Sequence, residues 1–268
     1  GADGEGAAKA AQLKEQLEWA EAWIRDVVFL HPTEGDLAIP GDFRDFVPEM
    51  PRGPFPETDL LVWVTAHPED VPGSARCLLR DQLPGGGRGR CIAGRLNISP
   101  AYIKLSTAPD EVEWGRKLML HEMLHLLDAV LIHAPFVDEE GTPKEAGESF
   151  ALASDQVYNR TVMLVKSPKV LATAWAHFNC SEMPGFPLED VPAGVGAHWE
   201  ARLMGPEIMS YGGGSGEPYV SDLTLAFLEG YVNGPAAYLS GGMVTYAGND
   251  YWTERSFLDR VVENYNGS

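Results

Sequence analysis

Basic residues are scarce in this chain. Lys and Arg number 20 against 39 Asp and Glu in 268 residues, a formal net charge of −19. A fold that grips nucleic acid or an anionic membrane presents a basic face, and so acidic a chain argues against either as its main partner. The acidity reads instead as solubility. Long apolar runs are missing as well, so no intrinsic membrane span is expected. The opening GADGEGAAKAAQ is no signal peptide and reads as a processed or engineered end. Cysteine is sparse: Cys77, Cys91 and Cys180 permit one disulfide and one leftover thiol. Four Asn-x-Ser/Thr triplets, at Asn97, Asn159, Asn179 and Asn266, lean towards a secretory route.

What is present is enough to build a core. Hydrophobic residues make up 44% of the chain, with seven Trp and ten Phe. Residues 7–29 lack Pro and Gly, and Leu13, Leu17, Ala20, Trp23, Ile24 and Val27 recur at helical spacing, which predicts one amphipathic helix. After a Pro-rich loop, DLLVWVTA (59–66) and RCIAGRLNIS (90–99) read as strands. The Pro- and Gly-rich segment 67–90 between them reads as loop, with PGGGRGR as its tip. Helices are expected over 107–133, with Thr107 and Asp110 as a capping pair and Pro109 in the first turn. Further helices are expected from 143 to about 165, over 168–178 and over 221–231. Strands early, helices later and a loop-rich end predict an α+β protein with its cleft between two halves. The first half, 1–133, would be the catalytic subdomain, and the second, 134–268, would complete the site.

The stretch LMLHEMLHLLDAVLIH (118–133) carries the chemistry. On a helix, residues i and i+4 share one face, so His121 and His125 aim two imidazoles at one point. Glu122 is rotated by about 100° from His121, close enough to reach a water on a metal without ligating it. Peptide hydrolysis uses this set: zinc polarises the carbonyl and acidifies water, and a carboxylate takes the proton and returns it to the leaving amine. Two histidines do not complete a zinc site, and two residues compete for the third place. Glu145 follows His125 by 20 positions, as in thermolysin-like enzymes (a gluzincin reading). His198 lies in GAHWEARLMGPEIMSYGG, where Met209, bounded by glycines, resembles the methionine turn beneath the zinc of metzincins. A methionine there forms a polarisable apolar floor that fixes the histidines, and this context favours His198. His31, His67, His133 and His177 carry no such context and read as ordinary histidines.

With these residues in place the chain resembles the leishmanolysin family of metzincin metalloproteases. VTAHPEDVPGSARC resembles the family's strand and cysteine before the substrate cleft, and CIAGRLNISP its upper-rim edge strand. SPKVLATAWAHFNC followed by GAHWEARL resembles the insertion between the second and third histidines. The likeness runs over roughly residues 10–231. It implies a metzincin-like α+β fold, with an N-terminal twisted mixed sheet and active-site helix and a helical, loop-rich C-terminal subdomain. It also implies a secreted or cell-surface zinc endopeptidase, acting on protein or peptide substrates and expected to be monomeric. His121, His125 and His198 would be the Zn2+ ligands, Glu122 the base and Met209 the floor. Tyr211, two residues after Met209, stands where astacin-like metzincins place a tyrosine near the zinc, so its hydroxyl is a candidate oxyanion donor. The edge strand ending in RLNIS would pair with an extended substrate backbone. A non-catalytic binding module on the same fold is the competing class, and the intact Glu122 argues against it.

Two departures bear on the fold. The family usually turns on a glycine three residues after the second histidine, where this chain has Asp128. Asp tolerates the left-handed conformation better than most residues. Either Asp128 makes the turn at some cost, or the helix runs on towards His133; the turn is the expectation. Leishmanolysins are also rich in disulfides. Here Cys77 and Cys91, which flank a 13-residue loop, are the expected pair, leaving Cys180 free.

Overall fold

The computed structural model describes residues 2–29, 33, 35–40, 53–82, 88–131, 136–137, 143–144, 150–155, 160–191, 194–211, 219–230 and 245–246. It is an α+β protein of two compact units, one comprising residues 1–26 and 30–127 and the other residues 27–29 and 128–268. None of the described helices is long and apolar enough to cross a membrane.

The first unit is built from α1 (Ala2–Val27), β2 (Leu61–Thr65), β3 (Gly73–Gln82), β4 (Arg88–Ile98) and α2 (Pro109–Leu126). The helical spacing near the N-terminus puts Leu13, Ala20 and Trp23 into the core. Gly115 of α2 lets α1 come close, because a Cβ there would lie 2.1 Å from Nε2 of Gln16. In the sheet, β4 runs between β2, which is parallel to it, and β3, which is antiparallel. β4 is buried on both faces. Ala93 sits among Ile39, Phe55, Leu61, Trp63 and Leu79, while a Cβ on Gly94 would meet Leu126 of α2 at 2.5 Å.

This corrects two expectations. CIAGRLNIS is not an edge among the described residues, since β4 has a partner on each side; β3 and β2 flank it. Nor is 67–90 simply loop. Residues 73–82 form β3, whose pairing with β4 rather than its own composition makes it a strand. The expected disulfide is present: Cys77 and Cys91 join β3 to β4 with Cα atoms 5.7 Å apart, and Cys180 is free and exposed. The triplet at Asn97 is no glycan acceptor in the folded chain. Its side chain is 1% exposed. Its Oδ1 accepts from Thr65 Oγ1 and His67 N, and its Nδ2 donates to His67 O. Ser99 of the same triplet donates to Glu69 O and accepts from Glu69 N. Together they fasten the loop after β2 to the end of β4.

The second unit holds β1 (Val28–Phe29), which pairs with β11 (Thr245–Tyr246), and the short pair β5 (Phe136–Val137) and β6 (Pro143–Lys144). Its main sheet is antiparallel, in the order β10 (Gly194–Trp199), β9 (Phe186–Val191), β8 (Arg160–Val165), β7 (Phe150–Asp155). The helix expected from 143 to 165 is therefore absent among the described residues; 150–155 and 160–165 are paired strands. Val162 and Leu164 alternate inwards, and Phe150 pairs with Val165 through to Asp155 with Arg160. Local composition allowed a helix, and cross-strand pairing decided otherwise.

Helix α3 (Pro168–Phe178) occupies the expected residues and packs on α5 (Asp222–Gly230), with the four-residue α4 (Ala201–Met204) between them in sequence. Asn179 ends α3 in the left-handed conformation, a standard helix stop. Phe178, Phe186, Trp199 and Phe227 form a continuous aromatic core with centroids 5.4 to 5.9 Å apart.

Candidate active site

The helix expected over 107–133 is shorter than its pattern, and both ends have a local cause. Pro109 forces Ala108 into an extended conformation, so Ala108 is the N-cap and no side chain caps it. Thr107 stands one residue too early to serve. At the other end Asp128 has φ 64° and Val130 φ 58°, and the helix stops at Leu126. Asp128 thus makes the turn in place of glycine, with its side chain only 1% exposed.

In the first unit the HExxH spacing works as the helix geometry requires. The Nε2 atoms of His121 and His125 lie 3.2 Å apart, with their rings nearly perpendicular. Two nitrogens of a tetrahedral zinc, each at about 2.0–2.1 Å, are separated by about 3.3 Å. The pair therefore fits one edge of a zinc tetrahedron. Both histidines are partly buried, while Glu122 between them is 5% exposed. Burial, and after it the charge of Glu69, pushes the Glu122 carboxyl up to about 8. Glu69 is held in turn by a 2.8 Å hydrogen bond from Ser74 Oγ.

The space around Glu122 depends on Gly73, the first residue of β3. A Cβ at that position would stand 2.9 Å from Oε1 of Glu122, 3.0 Å from Cγ and 3.1 Å from Cδ. Gly73 escaped the sequence reading, because nothing in PGS marks it as facing a residue 49 positions on. Only the antiparallel pairing of β3 with β4 brings it there.

In the second unit His198 is carried by β10, one residue before the fully buried Trp199. Tyr211 covers it: the rings are 4.0 Å apart at 38°, and Tyr211 is 55% exposed. Met209 is fully buried, and its carbonyl accepts from Trp199 N at 2.8 Å, so the turn 207–210 is latched to the strand that carries His198. Glu145 lies outside the described residues.

Comparison with known proteins assigns a family. The family model described as leishmanolysin, peptidase M8, matches residues 33–249. A leishmanolysin-like peptidase of Drosophila pseudoobscura pseudoobscura is 33% identical over 171 residues, 52% of this chain and 24% of the relative. One from Caenorhabditis elegans is 31% identical over 212 residues, 65% of this chain and 30% of the relative. A leishmanolysin homolog of Crithidia fasciculata is 37% identical over 71 residues, 26% of this chain and 11% of the relative. The chain thus spans less than a third of the length of these relatives. With the family model covering well over half of it, this chain belongs to the leishmanolysin family of peptidases.

Proposed function

We propose that the chain is a metzincin-type zinc endopeptidase in which His121, His125 and His198 hold the metal and Glu122 is general base, then general acid. The observation that carries the reading is the HExxH pair, whose Nε2 atoms lie 3.2 Å apart, as two ligands of one tetrahedral zinc do. His198, on β10 beside the buried Trp199 and latched to the Met209 turn, is proposed as the third donor. Three neutral imidazoles are a standard donor set for a catalytic zinc that keeps a position open. When bound, zinc supplies a Lewis acid that polarises the scissile carbonyl and acidifies water.

The remaining work falls to side chains. Glu122 takes the water proton and delivers it to the leaving amine, a transfer that its position one residue after His121 supports. Tyr211, exposed beside His198, donates its hydroxyl to the developing oxyanion. Met209 provides the apolar floor. The substrate is a protein or peptide. A secreted or cell-surface location is supported by the Cys77–Cys91 disulfide and by the exposed Asn179 triplet.

The test is casein cleavage by the zinc-loaded chain, its loss on chelation, and its absence in a folded, zinc-replete Glu122→Gln variant. Undiminished cleavage by that variant would end the reading.

A further inference from the structure

One buried acid has no part in the chemistry above. Glu207 is fully buried. Among the described residues four hydrogen bonds and no basic side chain compensate it. Its Oε1 accepts from Ser221 N at 3.0 Å, Ser221 Oγ at 2.8 Å and Thr224 Oγ1 at 2.5 Å; its Oε2 accepts from Met209 N at 2.5 Å. Both hydroxyls have spent acceptor capacity elsewhere. Ser221 Oγ takes the N–H of Thr224, capping α5, and Thr224 Oγ1 takes the indole N–H of Trp199 at 2.9 Å. Their hydrogens are left for Glu207. Burial pushes the Glu207 carboxyl above its usual range, while the hydrogen bonds from Thr224, Ser221 and Met209 pull it back down. Every one of these partners donates, an arrangement that suits a carboxylate acceptor. A lone structural acid at such depth is costly unless its whole shell is arranged for it. This shell joins three things: the Met209 turn, the start of α5 and the indole beside His198.

We propose that Glu207 is a positioning residue for the metal site, holding His198 in place through two routes. One is the Met209 peptide, whose N–H it takes and whose carbonyl accepts from Trp199 N. The other is Thr224, which relays it to the Trp199 side chain. The proposal rests on His198 being the third ligand. It makes the carboxylate of PEIMSY, two residues before the methionine, part of the metal site rather than of the turn alone.

Glu207→Gln probes this with almost no change in volume. Its NH2 must face either the three donors at Oε1 or the single Met209 N–H at Oε2. The second choice loses least, so the substitution pushes the Met209 peptide away. We expect the folded variant of this chain to bind zinc about tenfold more weakly in chelator competition, the scale at which a ligand's outer partners act. The visible spectrum of its cobalt(II) form should change as well. A purely architectural role lowers the melting temperature of the metal-free chain and moves neither of these. A folded variant with wild-type zinc affinity and cobalt spectrum overturns the proposal.

Should Glu207→Gln fail to fold, Thr224→Val decides. It cuts only the relay to Trp199, a smaller loss of affinity is expected, and an unchanged affinity refutes. His198→Ala in parallel separates the two levels. If it keeps zinc as tightly as wild type, the ligand assignment itself fails. If it loses zinc while both other variants keep theirs, only the role of Glu207 falls.

Discussion

Replacing Gly73 with alanine should impair catalysis while sparing the metal. Gly73 is not among the residues with positive φ, so alanine is admissible on the backbone and only space is at issue. The new methyl would sit 2.9 to 3.1 Å from three atoms of the Glu122 side chain. Carbon contacts settle at about 3.5–4.0 Å, so the carboxyl must retreat by about 0.5 Å. A 1 Å displacement of a reacting group costs about a hundredfold, so half of that costs about tenfold, or ~1.4 kcal/mol of activation free energy. Overpacking should cost a further 1–3 kcal/mol of stability, of the order seen when a methyl is forced into a filled site. The assay is kcat/KM on a fluorogenic peptide, with zinc per chain and melting temperature measured alongside. Activity should fall about tenfold or more with zinc undiminished, because the methyl meets Glu122 and not the histidine pair. Wild-type activity, or loss of zinc in step with activity, would refute the reasoning.

Two further outcomes follow from the same structure. In the metal-free chain Glu122 titrates near 8 rather than 4.5. A raised carboxyl favours the protonated folded state, so its contribution to stability is complete below about pH 4.5 and drains away as pH rises through about 8. Melting temperatures of the chelated protein at pH 5 and pH 9 should therefore differ more in wild type than in Glu122→Gln; equal differences would show that Glu122 is not buried as described. The Cys77–Cys91 bridge closes a loop with a sequence separation of 14. Its removal by the double serine variant should cost about 3 kcal/mol in urea unfolding, and a loss below 1 kcal/mol would mean that the β3–β4 pairing holds without it.

Much of the candidate site was legible because its signals are local. His121, Glu122 and His125 lie within one turn of helix, and α3 and α5 carry their own start signals in Ser167-Pro168 and Ser221-Asp222. Asp128 could be read as a turn because few other residues accept that conformation. What escaped depends on partners distant in sequence. The strand nature of 150–165 comes from the hairpin pairing, and β3 comes from β4. Gly73 matters only because Glu122 lies beneath it. Glu207 looks like any acid before a turn until four donors from residues 209, 221 and 224 close on it.

The central claim is the ligand set, and zinc stoichiometry tests it most directly. Zinc per chain should be near one in the purified protein, fall to background in His198→Ala and stay near one in Glu145→Ala, with casein cleavage following the metal. Loss of zinc in Glu145→Ala, with His198→Ala still fully loaded, would contradict the account and put a carboxylate in the third position.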